Sequence, residues 1–243
     1  MRCQRSGFPQ NWCESWIGWP CPVVRKWRDK SMAGKGSGFW NWMAPRYARA
    51  KIRDEASYQR KLDETRAVLN DGMRVLEIGC GTGTTAVAHA PFVRSILGID
   101  YSDKMVEIAR GRAADAGVEN ARFEVGSIGA LNAGPASYEA VLAMNILHLL
   151  PDYAQAIETA YKVLPPGGYF ISSTACIGRG FMPIKILLTV LSRLGIFPKV
   201  QYLSQDELLG EMRRTGFEVI TSWKPPSRMA ATFVIARRPS AAY

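Results

Sequence analysis

Residues 74–83 read Arg-Val-Leu-Glu-Ile-Gly-Cys-Gly-Thr-Gly, an apolar run that breaks into a loop with glycine at every second position. Val75–Ile78 suits a strand buried on both faces. A helical pattern starts at Thr84, and about twenty residues beyond Gly81 a second apolar run, Ser95–Ile99, ends in Asp100. Strand, glycine loop, helix, strand and acid in that order open a parallel βαβ unit. A chain that begins this way is expected to form an α/β, Rossmann-like, doubly wound sheet with helices on both faces.

The remaining pattern agrees. Strands are expected at 121–125, 138–143, 169–174, 217–222 and 232–236. Helices are expected at 84–90, 102–116, 153–164 and 204–215. Ser102 and Ser204 stand where N-caps are needed, and Gly117 and Gly216 where helices stop. Two further helices precede the first strand, at 40–52 and 56–69, the second closed by an Asp71-Gly72 turn.

Residues 1–36 read as an appendage without helical or strand period. They carry seven basic residues against two acidic ones, half of the net charge of +10. Met32 is a candidate natural start, with the upstream residues an over-extended reading frame. A folded domain is expected at 37–238, with a hydrophobic insertion at 178–200 and a tail at 239–243. Basic charge favours anionic partners without choosing among them. Five scattered cysteines form no CxxC pair, which points away from a disulfide framework and a zinc site, and no metal-ligand pattern is expected. With no leader-like apolar start, a cytoplasmic location is expected, with membrane association through the insertion as a variant.

Glycines permit a sharp turn at positive φ and let a ligand lie against the backbone. A nicotinamide fingerprint needs glycine at position 84, where this chain has Thr84, and no Lys-Ser/Thr pair follows as a phosphate loop requires. Glu77, just before the loop, suits a cationic ligand better than a pyrophosphate. Asp100 can accept hydrogen bonds from ribose hydroxyls.

Glu77-x-Gly79-x-Gly81-x-Gly83, with Phe39-Trp40-Asn41 and Ala44–Tyr47 upstream, Gly98-Ile99-Asp100-Tyr101-Ser102 and Met105, Asn145-Ile146-Leu147-His148 and Leu164-Pro165-Pro166-Gly167-Gly168, together resemble the class I S-adenosylmethionine-dependent methyltransferases, in particular those acting on quinones, lipids and other small molecules. The resemblance runs from about residue 39 to 236. It implies a seven-stranded sheet with the last strand antiparallel and S-adenosyl-L-methionine as cofactor. Gly79, Gly81 and Gly83 would line the cofactor's amino-acid part, with Glu77 on the ammonium side. Asp100 would hold the ribose, Tyr101 and Met105 would flank the adenine, and Asn145 would face the methyl group. Relatives often carry an acid after the third strand; this chain has Ser127, a weaker acceptor for the adenine amino group.

His148 reads either as a general base or as a histidine packed beside the cofactor. The second is favoured, because displacement on an activated sulfonium depends mainly on positioning. Cys80 reads as a small filler and His89 as structural. The insertion reads as an apolar lid, as an interfacial helix making peripheral membrane contact through 181–197, or as a core or dimer contact. The expected partner is a small-molecule or lipid acceptor, not nucleic acid, since base amino methylases carry N/D-P-P-Y/F where this chain has Asn-Ile-Leu-His. An RNA methyltransferase and a non-catalytic cofactor-binding protein are the alternatives. Oligomeric state is not legible.

Overall fold

The structure is a computed structural model, which describes residues 37–52, 54–131, 133–176, 182–193, 198–226 and 230–240. The appendage at 1–36, the flanks of the insertion and the last three residues lie outside the described residues.

Two helices, α1 (Ser37–Arg49) and α2 (Glu55–Arg66), precede the sheet. Strands and helices then alternate: β1 (Arg74–Ile78), α3 (Thr84–His89), β2 (Ser95–Asp100), α4 (Asp103–Asp115), β3 (Ala121–Val125), β4 (Ala140–Met144), α5 (Tyr153–Val163) and β5 (Tyr169–Ala175). The chain closes with α6 (Met182–Arg193), α7 (Gln205–Thr215), β6 (Glu218–Trp223) and β7 (Ala231–Arg237). The seven strands form one sheet in the order β3-β2-β1-β4-β5-β7-β6. Neighbours among β1 to β5 run parallel, and β7 runs antiparallel to both β5 and β6, as expected for this fold.

The order reverses direction at β1. From β1 the chain winds outward through β2 to β3, then returns to lay β4 and β5 on the other side. That switch point opens a crevice at the carboxyl ends of β1 and β4. Side chains alternate across the sheet. Leu76 and Ile78 join Val141, Phe170 and Met212 in one core, under α5 and α7. Val75 joins Ile96, Leu142, Ala86 and Val106 in the other, under α3 and α4. By the same alternation Glu77 falls on the α3 face, buried beneath the glycine loop.

Helix ends follow local chemistry. The Ser102 hydroxyl accepts from Met105 N at 3.1 Å and caps α4. Ser204 and Glu207 form a reciprocal capping box on α7, and Gly216 ends it at φ +105°. α3 stops at His89, one residue short of expectation, and passes into a 3₁₀ turn, Ala90–Phe92. Pro91 lacks the N–H that would continue the helix. β4 begins at Ala140 rather than at residue 138: Tyr138 donates its N–H to Val163 O instead of joining the sheet. Among the described residues no helix is long and apolar enough to cross a membrane.

Candidate active site

The site grows from the end of β1. Gly79, Gly81 and Gly83 all have positive φ, at +63°, +51° and +75°. Cys80 N donates to Ile99 O at 3.0 Å, holding the loop to β2, and Gly83 N closes the turn on Cys80 O at 2.9 Å. The three glycines serve different ends. A Cβ on Gly79 would collide with Ile146 Cγ1, and one on Gly83 would meet Ala109 Cβ at 2.8 Å. A Cβ on Gly81 would meet only Tyr47 Cε1 at 3.9 Å, so this glycine faces open space.

Asp100 ends β2 and is nearly buried. One carboxylate oxygen accepts from Gly81 N at 3.0 Å, the other from Ser102 N at 2.9 Å. Each oxygen keeps a lone pair for a ligand. Burial raises its pKa, opposed by those two backbone hydrogen bonds.

A cavity of about 350 Å³ lies against this carboxylate, within the range of roughly 300–1,000 Å³ usual for small-molecule sites. The loop contributes Gly79 and Gly81 to its wall, the β2 end contributes Asp100 and Tyr101, and the first turn of α4 contributes Met105. The β4 end contributes Met144, Asn145, Ile146, His148 and Leu149. α1 supplies Trp40 and Tyr47, and Ala175 and Val200 complete the lining.

Of the ten residues singled out from the sequence, seven line this cavity: Gly79, Gly81, Asp100, Tyr101, Met105, Asn145 and His148. Glu77, Gly83 and Ser127 are not part of its wall. Gly83, expected to line the cofactor, packs its Cα face against Ala109 of α4, so a side chain there would hold α3 and α4 apart. Ser127 is half-buried in extended backbone, and its carbonyl accepts from Ala130 N at 3.1 Å to form a 3₁₀ turn that carries Ile128 into the core. Glu77 lies behind the loop, where the Ala86 N–H donates to it while Oε2 is buried without a partner. Burial pushes its carboxyl up to about 8.

Burial pushes the His148 imidazole down to about 4, so it is uncharged at neutral pH. Its Nδ1 is buried without a hydrogen-bond partner, and its carbonyl accepts from Gln201 N at 2.7 Å, tying the segment after α6 to the cavity. Cys80 packs where a Cβ on Gly98 would fall, and burial raises its thiol well above the usual range, which fits a filler. His89 Nδ1 meets Thr85 O at 2.8 Å within its own helix.

Sequence reasoning passed over the lining role of Trp40 and Tyr47, although their spacing of two helical turns puts them on one face of α1. That helix is strapped down twice. The Ser102 hydroxyl donates to Asn41 Oδ1 at 2.6 Å. The Arg112 guanidinium donates to Thr82 O at 2.8 Å, to the Thr84 hydroxyl, and to Ala48 O at 3.4 Å. Sequence reasoning also missed Lys61, whose Nζ donates to Ser173 Oγ at 3.0 Å; a lysine in a charged helix gives no signal of this.

A family model described as a methyltransferase domain matches residues 69–222. The chain is similar to the uncharacterized methyltransferase YcgJ of Bacillus subtilis, 36% identical over 98 residues that cover 40% of this chain and 39% of that protein. It is similar to a ubiquinone biosynthesis O-methyltransferase of Paracidovorax citrulli, 35% identical over 104 residues, 42% of this chain and 44% of that protein. The chain thus spans less than half the length of these two curated relatives. The crystal structure of the Bacillus YcgJ protein superposes with a TM-score of 0.62 at 20% identity, over 76% of this chain and all of that one, a likeness of fold. The match across both halves of the sheet, switch point included, means that the chain belongs to the class I S-adenosylmethionine-dependent methyltransferases.

Proposed function

We propose that the chain binds S-adenosylmethionine in this cavity and transfers its methyl group to a small apolar or amphipathic acceptor, such as a quinone precursor, a phospholipid or a metabolite. The observation that carries the reading is the Asp100 carboxylate, fixed on both oxygens by backbone N–H groups at the edge of a mostly apolar cavity. A carboxylate so held keeps its outward lone pairs for a ribose diol. When bound, the cofactor supplies an activated methyl on a positive sulfur.

The residues present fit that group. Tyr101 and Met105 follow Asp100 and offer flat and soft apolar surfaces to the adenine. Gly81 leaves room against the loop. The unpartnered Glu77 Oε2, behind the loop, suits a cationic neighbour reached through water. Among the described residues the cavity wall carries no lysine that would seek a phosphate.

Ile146, Leu149, Ala175 and Val200 give the cavity an apolar lining, which suits an apolar acceptor. The neutral His148 packs there, and positioning supplies the rate. The exposed Ile186 and Val190 of α6 support a peripheral membrane contact by which an amphipathic acceptor would arrive.

The test is methyl transfer from radiolabelled S-adenosylmethionine to a panel of hydroxylated aromatics, phospholipid vesicles and a structured RNA. Label in the small or lipid acceptors and none in the RNA is the expected result. Label in the RNA alone would overturn the reading.

A further inference from the structure

The acceptor end of the cavity is built on a hydrogen-bond relay. Asn145 follows β4 in the left-handed region, at φ +58°, a conformation that asparagine tolerates better than most residues. Its N–H donates to Ser173 O at 2.6 Å, which pins it to β5. Its side chain is exposed to the cavity. Its Oδ1 faces the Ser173 hydroxyl at 3.4 Å, and that hydroxyl in turn faces Lys61 Nζ at 3.0 Å.

The direction of donation is set at the lysine end. An ammonium donates and cannot accept, so Ser173 Oγ accepts from Lys61, and its own proton points to Asn145 Oδ1. With Oδ1 engaged, the Asn145 amide turns its N–H₂ toward the cavity. Lys61 is half-buried, a position where desolvation lowers the pKa of its ammonium and Asp54 opposes that. A cation at the head of such a chain polarises each donor after it.

With the cofactor bound as proposed above, its methyl group would lie beside Asn145, and an N–H donor there would select the chemistry of the acceptor. A nucleophile must aim one lone pair at the methyl carbon. An oxygen has a further lone pair, which can take the asparagine donor. An amine spends its single lone pair on the attack, and its own N–H groups need acceptors to orient them. We propose that Lys61 is a positioning residue which, through Ser173, fixes Asn145 as a hydrogen-bond donor, so that this site takes an oxygen nucleophile, a hydroxyl or its anion, in preference to an amine. The inference rests on the cofactor reading above and names the acceptor atom within it. With S-adenosylmethionine bound, the oxygen–carbon bond would form as the carbon–sulfur bond breaks, the bond pair would pass to sulfur to leave a neutral thioether, and the hydroxyl proton would pass to solvent.

The test uses two probes of one shape, para-nitrophenol as its anion and para-nitroaniline, each titrated into the full chain saturated with S-adenosylhomocysteine. Binding is read from the absorbance of the probe. Wild type is expected to prefer the phenolate. Lys61→Met and Ser173→Ala should each cut that preference about tenfold, the size of one charge-assisted hydrogen bond, with S-adenosylhomocysteine affinity unchanged. Lys61→Arg should retain most of it. Equal binding of the two probes by wild type, or a preference that both Lys61→Met and Ser173→Ala leave intact, would overturn the proposal. Failure of wild type to bind S-adenosylhomocysteine at all would overturn the cofactor reading, and the inference with it.

Discussion

Gly79, Glu77 and His148 each make a separable claim. At Gly79 a methyl group would enter the space of Ile146, and the backbone is left-handed. Gly79→Ala should therefore lower stability by about 1–3 kcal/mol, read as a drop in the urea midpoint. At Glu77 the carboxyl rises from its ordinary 4.5 to about 8 on burial. The folded chain thus holds a proton that the unfolded chain releases. The stability tied to that proton is complete below pH 4.5 and is lost as pH rises toward about 8. The urea midpoint of Glu77→Gln, measured against wild type without ligand, should gain on it across that window; a constant difference would refute the assignment. A cationic ligand reverses the preference, so cofactor affinity should rise with pH through the same window in wild type alone. His148 is already neutral well below its ordinary 6.5, so methyl transfer should show no inflection near that value that His148→Gln removes.

α1 is the element that turns a crevice into a cavity. It is held by Asn41 to Ser102 and by Arg112 to both the glycine loop and Ala48 O. Arg112→Met removes several hydrogen bonds at once without touching the cavity wall. It should speed proteolysis near residues 49–51 and weaken cofactor binding about 5–30-fold, at roughly 1–2 kcal/mol for the lost charge-assisted contacts. Unchanged cleavage and affinity would mean that α1 is held by packing alone. Much of this site was legible because motif chemistry is local. The glycine loop, Asp100 and the Ser102 cap each work within a few residues of chain, and their patterns survive in one dimension. The helix α1 was legible, but its place in the cavity wall was not, and neither were the roles of Lys61 and Ser173: these arise from contacts across the fold, Lys61 meeting a partner 112 positions away. The packing role of Gly83 was not legible for a related reason: its spacing matches the motif, but only the fold brings Ala109 of α4 against it.

At the scale of the whole molecule, alternating strand and helix patterns with their helix stops are enough to specify the doubly wound sheet. The direction of β7 came from resemblance, since no periodicity reports whether a strand runs parallel or antiparallel. The sheet order accounts for the position of the site: the crevice opens where β1 stands between strands wound in opposite directions. Glycine loop, Asp100 and Asn145 come from three different strand ends and meet only there. The central claim is that this meeting point binds S-adenosylmethionine through Asp100. Calorimetric titration of S-adenosylmethionine into wild type and Asp100→Ala tests it most directly. The account predicts saturable one-to-one binding by wild type and a loss of about 1–3 kcal/mol in the variant. Absence of binding by folded wild type, or equal affinity in the two proteins, would contradict it.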